Sequence, residues 1–241
     1  MNAGWESRAE QWLAWARTPG FDAYWSYREA FFALVPPPDG RTLEVGCGEG
    51  RVTRDLAARE HRVTALDASP TLLRAAAERD PGGDYVLGAA EALPFDGATF
   101  GLVVAYNVLM DVANMPAAVA EAARVLVPGG RFCACVTHPF ADAGTWANDD
   151  DGAPFVIDGA YLGARPFTAT IERDGLTMTF DGTMYALEDY ARSPEAAGLV
   201  VEALREPAPA PGAAHRPQTA NWARWHRLPM FLMWRARKPP A

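Results

Sequence analysis

Five short apolar runs, separated by stretches with helical periodicity, set the narrowest limit on what this chain can become. The runs lie at residues 41–45, 62–66, 84–87, 101–106 and 131–137, and helical patterning fills 50–59, 70–79 and 116–126 between them. Val127-Pro128-Gly129-Gly130 stops the last of these helices, because proline and glycine end helical propagation. Strand, helix and strand joined by short connections predict a parallel sheet. Each crossover has to return over the sheet before the next strand can run the same way, so helices cover both faces.

The flanks read differently. Nine of residues 1–36 are aromatic, with Trp12 and Trp15 one helical turn apart and Tyr24 and Tyr27 likewise. Two helices interrupted at Thr18-Pro19-Gly20 are expected, and Pro36-Pro37-Pro38-Asp39-Gly40 breaks the chain before the first strand. Residues 139–165 are rich in Gly, Asp and Ala and read as loop around Asn148-Asp149-Asp150-Asp151-Gly152. Runs at 167–172 and 176–183, joined by Asp174-Gly175, predict a β-hairpin. A helix near 186–197, a strand at 199–205, a Pro/Ala-rich loop at 206–213 and a last strand at 230–236 follow. Residues 1–241 are expected to form a single domain, with 139–185 as an insertion that caps the sheet.

Hydrophobic residues make up 49% of the chain and charged ones 22%, which is the balance of a soluble globular protein. The net charge of −8 argues against a nucleic-acid partner. The clustered cations Arg224, Arg227, Arg235, Arg237 and Lys238 are read as a solvated tail. The three cysteines, Cys47, Cys133 and Cys135, have neither the number nor the spacing of a disulfide framework or a zinc site, so no metal is expected. No apolar run approaches the roughly 20 residues that span a bilayer. The polar N-terminus is unlike a secretory signal, and a cytoplasmic monomer or homodimer with no membrane partner is expected.

The segment 43–51 (LEVGCGEGR) leaves the first strand and enters a helix. Gly46 and Gly48 can take backbone angles closed to other residues and leave room for a ligand beside the chain. Such a turn at the C-terminal edge of a parallel sheet is a nucleotide site. It is not the dinucleotide fingerprint, whose third glycine would fall where Arg51 stands, and no phosphate-cradling G-x-x-x-x-G-K-[ST] run occurs.

At this point the sequence resembles the class I S-adenosylmethionine-dependent methyltransferases, in their type 11, UbiE-like small-molecule branch. The resemblance rests on LEVGCGEGR, then Ala65-Leu66-Asp67-Ala68-Ser69, Ala90-Glu91-Ala92-Leu93-Pro94-Phe95, Leu102-Val103-Val104-Ala105-Tyr106-Asn107-Val108-Leu109 and Arg124-Val125-Leu126-Val127-Pro128-Gly129-Gly130-Arg131-Phe132, in family order. It implies an α/β, Rossmann-like, seven-stranded, mostly parallel sheet. A helical N-terminal lid (1–36) and a capping insertion with a β-hairpin after strand five complete the expected fold.

The resemblance also implies S-adenosyl-L-methionine as cofactor. Gly46, Cys47, Gly48 and Arg51 would lie along its methionine part, and Asp67, 21 residues after Gly46 and followed by Ala68, would accept from both ribose hydroxyls. Glu44 would lie near the amino group or pair with Arg51 or another base. The family often carries Asp where Ala89 stands, so the adenine contact falls to the backbone at Ala90 and Glu91 and to the Glu91 carboxylate. Asn107 would touch the cofactor through its backbone.

On the acceptor side, Tyr106, Met110 and Asp111 follow strand four. His138, at the end of strand five, is a candidate general base or a strand-end histidine bonded to backbone. Tyr24, Trp25 and Arg28 belong to the lid. Trp146 and Tyr185, with Met178, Phe180 and Met184, lie where the family selects its substrate. Their character points to a small apolar or aromatic metabolite. Methylation of RNA or protein, or a cofactor-assisted cyclisation without methyl transfer, stand as alternatives on the same fold.

Overall fold

The computed structural model describes residues 3–210 and 222–240. Helices α1 (Ala3–Arg17) and α2 (Tyr24–Phe32) separate at the Thr18-Pro19-Gly20 break, where Gly20 takes a φ of +82°. Strand β1 (Arg41–Val45), helix α3 (Arg51–Ala57), strand β2 (Arg62–Asp67), helix α4 (Pro70–Arg79) and strand β3 (Asp84–Leu87) build one half of the sheet. Strand β4 (Phe100–Tyr106), helix α5 (Met115–Val125) and strand β5 (Leu126–Thr137) build the other. Ser69 caps α4 by accepting from Leu72 N–H at 3.1 Å, and Asn114 caps α5 by accepting from Ala117 N–H at 3.0 Å.

Next come helix α6 (Pro139–Asp142), the short strands β6 (Gly144–Trp146) and β7 (Phe155–Ile157), and the hairpin β8 (Arg165–Arg173) with β9 (Leu176–Met184). Helix α7 (Leu187–Ala196), strand β10 (Val200–Arg205), a 3-10 turn (Trp222–His226) and strand β11 (Phe231–Arg237) complete the chain. The seven-stranded sheet has the order β10-β11-β5-β4-β1-β2-β3, with β11 antiparallel to both its neighbours. The chain winds outward from β1 to β3, then returns to start β4 on the other side of β1. The crevice beyond the C-terminal ends of β1 and β4 is therefore the ligand position of such a sheet.

Period-two alternation splits the core. Leu102, Val104, Cys133 and Cys135 face α2 and α3, while Val103, Ala105, Phe132 and Ala134 pack under α5 and α7.

Three details differ from the sequence expectations. Strand β5 begins at Leu126 rather than 131, because Leu126 pairs with Phe100 across a register shift and the Gly129–Gly130 backbone bonds to Lys238. Within 139–165, β6 and β7 form an antiparallel pair rather than loop. Gly144 permits it, since a Cβ there would lie 2.0 Å from the Val156 carbonyl oxygen.

The C-terminal cations are also not a solvated tail. Lys238 Nζ reaches the Ala123 and Leu126 carbonyls at 2.8 Å. Arg235 and Arg237 share Glu202 with Arg131, and Arg224 and Arg227 bind Asp149 and the backbone at Asp151 and Ala153. All five side chains thus bond to partners within the fold.

The hairpin forms as expected. Asp174 and Gly175 take φ of +47° and +78°, the two left-handed residues that a tight turn between twisted strands needs. Part of the expected 206–213 loop, residues 211–213, lies outside the described residues. Among those described, no helix is long and apolar enough to cross a membrane.

Candidate active site

The glycine turn is tied to the end of β2. The N–H groups of Gly46 and Cys47 both donate to the Leu66 carbonyl, at 2.7 and 3.0 Å. Gly46 has a φ of +69°, and a Cβ there would sit 2.4 Å from the Val108 side chain, so the position admits only glycine. Gly48, with φ +56°, donates its N–H to Asp67 at 2.8 Å, and the other Asp67 oxygen accepts from Ser69 N–H at 2.8 Å. Burial raises the Asp67 pKa, while N–H groups of Ser69, Gly48 and Ala68 pull it back. The result is a carboxylate held in place beside a side-chain-free backbone. The three N–H groups leave acceptor capacity on the carboxylate for a ribose hydroxyl.

Glu44 is buried inside β1 and accepts the Thr53 hydroxyl. Burial pushes its pKa up to about 8, opposed by that hydrogen bond. It does not pair with Arg51. That guanidinium pairs with Asp22 and lies over the rings of Trp12 and Tyr24, at 4.8 and 4.9 Å. Arg51 opens α3 and points toward the N-terminal helices, whereas Thr53 faces β1.

Helix α1 crosses above this turn. Glu6 accepts from Ser69 and, at 2.7 Å, from the Thr71 hydroxyl, and the Trp12 indole nitrogen lies 3.5 Å from where a Gly48 Cβ would be. At the other side of the helix Arg8 pairs with Asp181 at 3.0 Å and Gln11 accepts from Thr179 N–H. Trp12 and Trp15 meet Phe180 edge-on. The first helix thus spans from the start of α4 to β9.

Past β4, Asn107 takes a φ of +53° and donates its N–H to the Cys135 carbonyl. Asparagine tolerates that conformation better than most residues. Met110 is buried and its carbonyl accepts from Thr183 N–H at 2.8 Å. Ala90 is buried in the core, and Glu91 accepts from the N–H groups of Ala113 and Asn114 at 2.8 and 3.2 Å. One oxygen of that carboxylate, Oε1, is thus engaged by the loop entering α5.

Several acceptor-side candidates are placed elsewhere. Tyr106 is buried against Tyr24 and Phe31, under α2. Tyr24 donates its hydroxyl to Asp55, Arg28 reaches Asp55 at 2.5 Å, and Trp25 is 47% exposed. Trp146 is drawn to Phe155 and Trp225 by the β6–β7 pair.

His138 is 0% exposed and caps α6, its Nδ1 accepting from Phe140 N–H at 3.1 Å. Its Nε2 lies 2.8 Å from Glu206, so Nε2 carries the proton and donates. Burial lowers the ring's pKa against the pull of Glu206. No lone pair remains for an acceptor's proton.

Tyr185 does reach the edge beyond β4 and β5, meeting Tyr190 edge-on at 5.7 Å. With it the structure brings together Asp111, Asp142, Tyr190 and Trp5. Of these, only Asp111 had a signal in the sequence, its place just after strand four.

The donor set suits an adenosyl ligand with an amino-acid tail: a fixed carboxylate for the ribose, a bare turn, and the buried acid Glu44. The methyltransferase domain family matches residues 43–134. A ubiquinone biosynthesis O-methyltransferase of Methylobacterium sp. (strain 4-46) is 30% identical over 214 residues, 86% of this chain and 77% of that protein. A malonyl-acyl-carrier protein O-methyltransferase of Serratia marcescens is 38% identical over 93 residues; there the match covers 39% of this chain and 36% of the relative's length. The fold is that of an S-adenosylmethionine-dependent methyltransferase from Mesorhizobium loti, with a TM-score of 0.72 and 24% identity over 90% of this chain and 98% of that one. The chain belongs to the class I S-adenosylmethionine-dependent methyltransferases. Its cofactor is S-adenosyl-L-methionine.

Proposed function

We propose that the chain methylates an O, N or C nucleophile of a small apolar or aromatic metabolite, in secondary metabolism. The observation that carries the small-molecule reading is the roof. Helix α1 is fastened at Glu6 to the start of α4 and at Arg8 and Gln11 to β9, directly above the glycine turn. A folded macromolecule would have to displace it, whereas a small acceptor needs only a passing opening. The three cysteines are buried and free, in keeping with a cytoplasmic enzyme.

The cofactor supplies a methyl group already activated on a positive sulfur. Asp67 accepts from the ribose hydroxyls, Gly46 and Gly48 give the methionine part a bare backbone, and Glu44 answers its amino group. The backbone at 88–91 and Asn107 complete the cradle. The aromatic roof excludes water and aligns the acceptor for in-line attack, which is most of the catalysis such a transfer requires.

Calorimetry and label transfer test this. S-adenosylmethionine should bind, and Asp67→Ala should weaken it by roughly 100-fold, the worth of two hydrogen bonds to a charged group. Labelled methyl should enter a small-molecule extract. Label found in RNA or protein, or an acceptor cyclised without methylation, would refute the reading.

A further inference from the structure

Beyond the C-terminal ends of β4 and β5 lie two carboxylates outside the set assigned above to the cofactor. Asp111 follows β4, accepts a hydrogen bond from the Trp5 indole of α1, and lies against β9, where a Cβ on Gly182 would be 3.0 Å from its Oδ1. Asp142 ends α6. One of its oxygens takes a hydrogen bond from Thr137, and Oδ2 is buried with no partner. Between them Tyr190, 3% exposed, holds a buried hydroxyl that also has no partner and feels the charges of Asp142 and Asp111. A buried hydroxyl or carboxylate oxygen without a partner is costly, so the arrangement points to a ligand that supplies donors.

The sign of that ligand follows from the neighbours. Among the described residues Asp142 enters no ion pair, and the nearby cation Arg8 is taken by Asp181 at 3.0 Å. Tyr185 and Trp5 bring aromatic surface, and Asp189 of α7 is occupied in capping Ala186. Two adjacent carboxylates in a dry site cannot both ionise without a cation, and an aromatic surround favours one.

We infer that the methyl acceptor carries a basic amine, bound as an ammonium ion by Asp111 and Asp142 beside the Tyr190 hydroxyl, and that this nitrogen receives the methyl group. The inference rests on the small-molecule methyltransferase reading. The ammonium gives one proton to the Asp142 carboxylate. The freed nitrogen lone pair forms the new N–C bond as the S–C bond breaks, and that electron pair stays on sulfur, which becomes a neutral thioether. The product leaves as a methylated ammonium, and Asp142 returns its proton to solvent.

Burial raises both acids, Asp142 to about 7, so the protonated form of Asp142 competes with ammonium binding. Affinity for the amine therefore climbs as pH rises through about 7.

The test is calorimetry on the full chain saturated with S-adenosylhomocysteine, titrated with 2-phenylethylammonium and with its neutral counterpart 2-phenylethanol. The ammonium should bind at least ~10-fold tighter, as expected for a charged hydrogen-bonded contact. Asp142→Asn should remove that preference and flatten its pH dependence. An ammonium that binds no better than the alcohol, or not at all, overturns the inference. So does an Asp142→Asn protein that keeps the preference. Failure of S-adenosylhomocysteine to bind in the first step would instead bring down the methyltransferase reading beneath it. The comparison of two ligands on the unaltered protein holds even if the variant does not fold.

Discussion

Glu44 makes the stability of this protein depend on pH in a direction opposite to most carboxylates. Burial in β1 raises its pKa from 4.5 to about 8, although Thr53 donates to it. Below the unfolded value both states carry the proton and the fold is at full strength. As pH rises the unfolded chain ionises and the folded one does not, so stability falls until the folded group ionises near 8. Each pKa unit is worth about 1.4 kcal/mol, which sets a ceiling of about 5 kcal/mol; water penetration and relaxation lower the realised figure to about 2–4 kcal/mol. In a chain of 241 residues that is a shift in Tm of roughly 2–4 °C per kcal/mol.

The check is urea unfolding of the unaltered protein and Glu44→Gln at a series of pH values from mildly acidic to mildly basic. The substituted amide cannot ionise, so the variant should gain on its parent steadily as pH rises. Asp111 and Asp142 are raised by burial in both proteins and drop out of the difference, whereas Asp67, whose charge helps to raise Glu44, is coupled to it and belongs to the measured effect. Parallel stability curves for the two proteins would refute a protonated Glu44. With the cofactor's ammonium beside it, Glu44 should ionise, and binding at neutral pH should release a proton, measurable from the buffer dependence of the calorimetric heat.

Three further outcomes follow from single contacts. Asp22→Ala strands the buried Arg51 guanidinium between Trp12 and Tyr24 and should cost about 3–5 kcal/mol in denaturant unfolding. His138→Ala removes the cap of α6, the contact to Glu206 and the stacking on Phe140 and leaves a buried cavity, so stability should drop by about 2–4 kcal/mol. Turnover per folded molecule should stay within roughly threefold of the parent, and a loss of a hundredfold or more, the scale of general-base removal, would restore His138 to the chemistry. Gly182→Ala puts a methyl 2.7 Å from Phe167 and 2.9 Å from the Met110 carbonyl, so it should push β9 off the loop after β4 and raise KM for the acceptor more than for the cofactor.

The turn and the carboxylate proposed to hold the cofactor were legible because they are local. Gly46, Gly48 and Asp67 lie within one strand-helix-strand unit, and their spacing follows from the geometry of that unit. The same holds for the hairpin, whose Asp174-Gly175 turn is a two-residue signal, and for α4, whose Ser69-Pro70 start is another. Where a candidate's partner lay elsewhere in the chain, the sequence was silent. Glu206 decides that His138 is a cap, Asp55 turns Tyr24 and Arg28 away from the cleft, and Ala113 with Asn114 claims Glu91.

The acceptor half is non-local throughout. Trp5, Asp111, Asp142, Gly182 and Tyr190 come from α1, the loop after β4, α6, β9 and α7, and no periodicity links them. They share one cause: each ends or covers the C-terminal edge of the two strands that flank the crevice's open side. The parallel sheet fixes where the cofactor lies, and the elements inserted after β5 and before β1 decide what can meet it. Change of substrate within such a fold therefore needs no change in the turn at 43–51, and on the reading proposed above the choice of acceptor lies in the charge placed opposite it, that of two acids.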